Sequence, residues 1–442
     1  MKSLVRPRRF ACCRRSVLAT VALAMVSLLA LCSCTPEAGR PAAEGRWFKG
    51  NTHEHSRWSD GRDWPEMVAK WYKDHGYHFI VVTDHNTLQE GEKWVGVGDP
   101  ARFEACREAF GDDWIQTREV KHPKTGKPVQ QVRLKTLEAY RDRLEEPGRF
   151  LLIMGEEITG KWKDVQVHVN ALNVAEAIPP QKGDTIEATI AADIDACRQQ
   201  ERHLSRPIVA HLNHPNWGGP IPVEQIWGVR DLAFFEVVNT RPTNVYNRGD
   251  ATRLSTDRLW DVILDKRLGD LGLGPVYGVA ADDSHDIRGS GGGWVVVRAP
   301  TLEADALMKA MRAGDFYAST GVRLKDLRRE PGRLAVQLDP EPGVTYRIEF
   351  VGTLRGYDRS KEGDRDAEGN LLPPTKRYSP DIGKVLKAVE GTEASYEPTG
   401  KELYVRARVV SSRVLPYPEK ERAKNLPTIY ESAWIQPIVV GK

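Results

Sequence analysis

Between Gly50 and Gly61 the chain reads Gly-Asn-Thr-His-Glu-His-Ser-Arg-Trp-Ser-Asp-Gly. His53 and His55 stand two residues apart, so on an extended segment following Trp47-Phe48 both imidazoles leave one face. A pair of neutral imidazoles suits a divalent cation, and Asp60, in a Ser-Asp-Gly turn, adds a hard oxygen ligand within reach. Stretches of the same kind recur as Thr-Asp-His85, Gly-Glu-Glu157-Ile, Val-Gln-Val-His168-Val-Asn, Asn-His214-Pro and Asp283-Ser-His285. Their six imidazoles and three carboxylates exceed what one ion takes, because a catalytic zinc uses three protein ligands plus water. Two or three ions sharing a bridging carboxylate would use them all. The cations would outweigh the carboxylates in charge, so such a pocket favours an anionic substrate or an oxyanion-forming transition state.

Ligands of this kind need rigid supports, and the residues in question follow apolar runs. Phe79-Ile-Val-Val precedes His85, Phe150-Leu-Leu-Ile-Met precedes Glu157, Pro207-Ile-Val-Ala leads to His211 and His214, and Tyr277-Gly-Val-Ala-Ala leads to Asp283. These read as buried strands, as does Phe234-Phe-Glu-Val-Val-Asn239. After Asp63 and Glu66, which have capping-box spacing, Met67, Val68, Trp71 and Tyr72 recur at helical intervals until Gly76. Strand, helix, strand is the unit of a parallel sheet, and functional residues at the carboxyl ends of strands mark the active face of α/β barrels. In Val165 to Asn170 the valines would face helices, leaving Gln166, His168 and Asn170 for the lumen. Residues 89–147 form a charged insertion, read as a lid or decorating loop. Thr301 to Ala313 reads as a last helix and Gly314 to Gly321 as a closing strand and turn. From Val322 the pattern alternates, with Tyr346, Ile348 and Phe350 against Arg347 and Glu349, and Val405, Ala407 and Val409 against Arg406 and Arg408. Residues 322–442 are therefore expected to be a small antiparallel β domain, interrupted by a charged loop from about Arg355 to Gly400.

Taken in chain order over residues 46–321, the motifs around His53, His55, Asp60, His85, Glu157, His168, His214, Asp283 and His285 resemble the polymerase and histidinol phosphatase (PHP) family of metal-dependent hydrolases. Phe-Tyr-Ala-Ser-Thr-Gly, His-Pro-Asn and the insertion before Glu157 look most like the branch that includes the carbaryl hydrolases. The resemblance implies an α/β fold, a distorted (β/α)7 TIM-like barrel, with two or three divalent metal ions, zinc, manganese or iron. It implies that His53, His55, Glu157 and Asp283 hold one ion, and that Glu157 bridges to a second held by His168 and His214. Asp60, His85 and His285 would hold a third, with Asp60 standing where many relatives carry histidine. The family pattern also selects Glu157 over its neighbour Glu156. The implied activity is hydrolysis of a small anionic ester, foremost a phosphoester, by water that the metals activate without a separate protein base. Carbamate or carboxyl ester hydrolysis at the same centre is one alternative. A lipid-anchored binding protein with structural metals is the other.

Geometry sorts the remaining candidates. His78 precedes His85 by seven residues on one strand, which puts it about 23 Å away at the opposite rim. His203 precedes its strand, His75 sits at a helix end and His122 in the insertion. His211 and His214 would point to opposite faces of an extended segment, and the Asn-His-Pro context favours His214 for the lumen. His211 and Arg241 are kept as candidate substrate contacts, while Asn86, Asn213 and Asn239 end strands and suit capping or ligand orientation. Glycines 289, 291, 292 and 293 read as a flexible turn, the alternative being a phosphate cradle.

A content of 40% hydrophobic and 28% charged residues excludes fibrous and disordered classes, and 442 residues suffice for a barrel plus a smaller domain. Residues 1–33 differ from the rest: six basic residues, with no acid, precede the apolar run Ser16 to Leu31, whose 16 residues are short for a membrane span and right for a signal peptide. Leu31-Cys-Ser-Cys34 resembles a bacterial lipobox, and Arg14-Arg15 loosely resembles a twin-arginine signal. The expectation is a lipoprotein signal peptide, a linker over residues 34–45, and an exported protein anchored by lipid at Cys34 on the periplasmic or cell-surface side. Removing the signal leaves 58 basic against 61 acidic residues, so no nucleic-acid partner is expected. Beyond Cys34 only Cys106 and Cys197 remain, with no Cys-x-x-Cys pair.

Overall fold

A computed structural model describes residues 45–241, 245–415 and 428–441. The expected signal peptide, Cys34 and linker residues 34–44 lie outside them. The chain opens with β1 (Arg46–Asn51), α1 (Pro65–Asp74) and β2 (Phe79–Val82), the last entirely buried as its Phe-Ile-Val-Val sequence requires. Pro65 takes the first turn of α1, where its missing N–H costs nothing, and Gly76 leaves it at a φ of +74°. The capping box expected from Asp63 and Glu66 is not formed. Trp64 is the N-cap residue, Asp63 turns to Arg102, and Glu66 accepts from Trp114 Nε1 at 2.8 Å. The insertion has its own order, namely β3 (Trp94–Gly96), α2 (Pro100–Phe110), β4 (Thr117–Lys121), β5 (Pro128–Arg133) and α3 (Leu137–Leu144), with the strands paired as β3-β5-β4.

The main sheet resumes with β6 (Leu151–Trp162), β7 (Val165–Leu172), α4 (Ile186–Leu204), β8 (Val209–Leu212) and β9 (Phe234–Asn239). Then follow α5 (Val245–Arg248), α6 (Thr256–Asp265), β10 (Tyr277–Ala281), β11 (Trp294–Ala299), α7 (Ala304–Arg312) and β12 (Phe316–Ser319). Strands β1, β2 and β6 run parallel, as do β8, β9 and β10, while β7 is antiparallel to both neighbours. Val167 and Val169 pack toward Ile190 and Ile194 of α4, leaving the alternate positions for the other face. Among the described residues no ladder joins β10 to β11, which instead pairs antiparallel with β1 and β12. The observed architecture is thus mixed α/β with one large sheet, and the ring that the resemblance implies is open at that seam. Ten residues after Asp282, the carboxylate of that residue still holds the returning chain by its backbone amides, which aims the chain at β1.

From Leu324 the strands are antiparallel: β13 (Leu324–Glu330), β14 (Arg333–Leu338), β15 (Tyr346–Leu354), β16 (Lys384–Glu390), β17 (Glu393–Tyr396), β18 (Glu402–Val414) and β19 (Tyr430–Val439). β16 and β17 lie inside the stretch expected to be loop. Alternation there is masked by charged residues on an exposed edge. β19 pairs with both β12 and β18, so these strands continue the main sheet in the order β10-β9-β8-β7-β6-β2-β1-β11-β12-β19-β18-β15-β16. Arg406 and Arg408 both meet α6: Arg406 is 2% exposed and donates to both Asp261 oxygens at 2.8 Å, and the half-buried Arg408 donates to Asp257 at 3.2 Å. Cys106 and Cys197 are free thiols buried in separate core clusters.

Candidate metal centre

Beyond Asn51 the backbone stays extended past the end of β1 and is stitched to the segment after β10. Asp283 donates its N–H to His53 O at 2.9 Å, and His55 donates its N–H to Ser284 O at 3.1 Å. Through these bonds His53, His55, Asp283 and His285 share one rim of the sheet. His85, just past β2, bridges to Glu157 in β6, and Asn86 donates its N–H to Glu157 O at 2.9 Å. Glu157 and His168 come from the facing strands β6 and β7, and His214 from the turn after β8. Asp283 and His214 hold positive φ angles of 49° and 22°, a conformation non-glycine residues rarely keep unless their surroundings impose it.

All nine residues singled out as ligands lie in four overlapping groups of donor atoms, each group spanning no more than 4.8 Å. These are His55, Asp60, His85 and His285; His53, His55 and Glu157; His53, His214 and Asp283; and His85, Glu157 and His168. The Nε2 atoms of His53 and His55 face each other at 3.1 Å. His55 Nε2 is 3.2 Å from Asp283 Oδ1 and 3.4 Å from Glu157 Oε2. Glu157 Oε1 lies 3.0 Å from His168 Nδ1 and 3.4 Å from His214 Nε2, so this carboxylate is the hub of the cluster. Asp60 Oδ1 sits 3.1 Å from His285 Nε2 and 3.4 Å from His85 Nε2, with its side chain 57% exposed. The three ligand groups drawn from the resemblance are regrouped: His53, His55, Glu157 and Asp283 divide between two observed groups, His214 falls with His53 and Asp283 and not with His168, and His85 belongs to both the Glu157 side and the Asp60 side.

Protonation is divided among the imidazoles: burial opposes charge on His53, His85 and His214, yet the carboxylates around them, Glu157 among them, raise all three above their ordinary values. Burial, which outweighs the contact with Asp283, pushes the His55 imidazole down to about 4 and keeps its lone pair free. Burial opposes charge on Glu157 and Asp283 as well, yet the imidazoles around them, His53 foremost, hold both carboxyls well below their ordinary values. His285 Nε2 and Glu157 Oε2 are buried and make no hydrogen bond. Crowded lone pairs of this sort carry a desolvation cost that a shared cation would remove.

A second ring of residues aims the first. Glu236 Oε1 lies 2.6 Å from His53 Nδ1, and its other oxygen accepts from His214 N at 2.7 Å and from Asn239 Nδ2 at 2.9 Å. Asn213 donates to Glu157 Oε1 at 2.8 Å, Asn239 to Asp283 Oδ2 at 3.1 Å, and Thr159 Oγ1 lies 2.6 Å from His85 Nδ1. Sequence reasoning missed Glu236, whose only signal was a lone carboxylate inside the apolar run Phe-Phe-Glu-Val-Val. It also missed Trp217, whose ring stands 5.2 Å from that of His214 and 5.8 Å from that of His168.

Two expectations need correction. His211 does not face away from His214: it is fully buried beneath the cluster, its ring 6.4 Å from that of His53, because the positive φ at His214 turns the chain between them. Both its ring nitrogens lack hydrogen-bond partners, and burial pushes it down to about 4. The glycine run cradles an anion from within the chain: Gly291, Gly292 and Gly293 all donate their N–H groups to Asp282, at 2.7 to 2.8 Å. Elsewhere the placements agree with the geometry. Glu156 points the opposite way from Glu157 and accepts from Ile178 N at 2.5 Å. His78, just before β2, accepts from Lys49 N at 3.0 Å, and His75 stacks on Trp71. Arg241 reaches the mouth, with Nη1 3.8 Å from Asp283 Oδ1 and its side chain 36% exposed.

No family model and no curated protein matches the chain. Among solved structures it is similar to a two-domain protein of Bacteroides vulgatus described as containing a predicted PHP-like metal-dependent phosphoesterase, at 15% identity and a TM-score of 0.39, over 84% of this chain and 92% of that one. A Bifidobacterium adolescentis protein given the provisional description metal-dependent phosphoesterase matches at 13% identity and a TM-score of 0.28, over 53% and 87%. An amidohydrolase of Chromobacterium violaceum, solved with sulfate and no metal, matches at 13% identity and a TM-score of 0.27, over 54% and 87%.

Proposed function

We propose that this chain is a PHP-type metal-dependent hydrolase on a distorted (β/α)7 barrel, and that it cleaves phosphoesters of small anionic molecules. The observation that carries the reading is the convergence of six imidazoles and three carboxylates on overlapping points, with buried lone pairs left unpaired. That donor set fits two or three divalent ions: His53, His55, Glu157 and Asp283 would hold one, Glu157, His168 and His214 a second, and Asp60, His85 and His285 a third. When bound, divalent cations supply Lewis acidity toward the scissile centre and make water acidic enough to attack near neutral pH.

The chain's own side chains do the rest. Glu236 fixes the proton of His53 on Nδ1 and leaves Nε2 turned inward. Asn213 and Asn239 hold Glu157 and Asp283 in place, so the donor atoms need no rearrangement on binding. Arg241, at the mouth beside Asp283, supplies a forked cation that grips two oxygens of a phosphoryl group, and this favours a phosphoester over a neutral ester. Trp217 stands beside the rings of His168 and His214 and gives that part of the site an apolar wall. The test is hydrolysis of p-nitrophenyl phosphate against naphthyl acetate and naphthyl carbamate after loading with manganese or zinc. Phosphate turnover should dominate, and His53→Ala should lower it at least about 1000-fold. Wild-type rates equal to those of His53→Ala on all three substrates would overturn the assignment, and a preference for the carbamate would move it to the other ester class.

A further inference from the structure

The insertion grips each segment that supplies the outermost donor group, His55, Asp60, His85 and His285. Between His55 and Asp60 the side chains of Arg57 and Trp58 turn outward. Arg57 donates to Gly96 O and Val97 O, both at 2.6 Å, and Trp58 Nε1 donates to Lys135 O at 2.9 Å. Trp58 is 3% exposed, buried among Val132 and Leu134 of the insertion. Behind His85, Asp84 accepts from Ser56, Ser59 and Gln89, and Gln89 in turn accepts from Tyr140 of α3. The third segment is reached by Arg102 of α2, which is 15% exposed. One arm of its guanidinium binds Asp63 and the other donates to Asp286 Oδ2 at 2.8 Å. Asp63 also accepts from Ile287 N at 2.9 Å, and Arg62 donates its N–H to His285 O at 2.8 Å.

We infer that the insertion is a fixed buttress which sets the geometry, and hence the cation affinity, of the outermost site, with Arg102 as the positioning residue that clamps the Asp60 loop to the His285 loop. The inference rests on the metal reading above. Asp60 is more than half exposed and belongs to a turn, so its approach to His285 depends on what holds the two loops together. His53, Glu157, His168 and His214 themselves are held by strand ends and by buried hydrogen bonds to Glu236 and Asn213, none of which involves Arg102. A forked guanidinium across two carboxylates is suited to this role because it fixes both distance and angle.

The experiment is manganese titration of wild type, Arg102→Ala, Arg102→Lys and Asp63→Asn, followed by electron paramagnetic resonance and by elemental analysis after dialysis. Wild type should bind three ions. Arg102→Ala and Asp63→Asn should bind one of the three about tenfold more weakly, with the other two unchanged. Arg102→Lys, which keeps the charge and loses the fork, should fall between, and it carries the test if the alanine variant does not fold. Equal affinity at all sites in wild type and variants, equal weakening of every ion, or wild type holding two ions with no third would each overturn this inference. Wild type that binds no manganese would instead overturn the metal reading itself.

Discussion

At the scale of single residues, most of the proposed ligands were legible because they follow apolar runs, where imidazole and carboxylate have little structural reason to be, while His168 stood out in an alternating strand and Asp60 in a turn. Glu236 escaped because it lies inside such a run, where one acid among Phe and Val has no period to betray it. Its partner in space, His53, is far away in sequence, and they meet because the segment after β1 is stitched to the segment after β10, the neighbour of β9. Glu236→Ala should weaken cation binding about 10- to 100-fold, since His53 loses the acceptor that fixes its tautomer. Competition with a chelating indicator measures this without reference to turnover, and an unchanged affinity would show that His53 is aimed by packing alone. The error over His211 has a related origin. Alternation holds only along an extended strand, and the positive φ at His214 resets it.

At the scale of elements, the strands preceding the ligands and the helices α1 and α7 were plain from apolar periodicity, whereas β16 and β17 were hidden by exposed charge. Element packing also makes a prediction. Asp193 on α4 is fully buried; one oxygen accepts from Gln181 N at 2.8 Å and the other has no partner. Burial pushes this carboxyl up to about 7, from 3.8 in the open chain. A folded-state value raised in this way stabilises the fold below pH 4, and the contribution is lost as pH rises toward 7, on the order of 4 kcal/mol in all. Asp193→Asn keeps an oxygen for Gln181 and stays neutral, so its stability in urea should match wild type near pH 4 and exceed it increasingly toward pH 7. Parallel pH dependences would refute the assignment. Helix α6 meets the carboxyl-terminal strands through another buried charge: Arg406 lies over Trp260 and bonds Asp261. Arg406→Ala would leave Asp261 buried without its cation and should cost about 3 to 5 kcal/mol, read as a lower urea midpoint. A change below about 1 kcal/mol would mean that water replaces the guanidinium.

At the scale of the whole molecule, the order of motifs along the chain was readable, because repeated units of strand and helix imply a sheet with its functional edge on one side. What joins the two ends of the sequence was not. The pairing of β12 with β19 spans residues 317 to 435, and no local pattern encodes a ladder between such distant partners. This arrangement bears on how the protein is made. A chain emerging amino end first presents every segment of the candidate metal centre long before β19, and until that strand arrives β12 offers an unpaired edge. Translation therefore has to run past residue 430 before the sheet can seal, and a nascent chain stalled short of that point carries a sticky border that chaperones or other copies of itself would meet first.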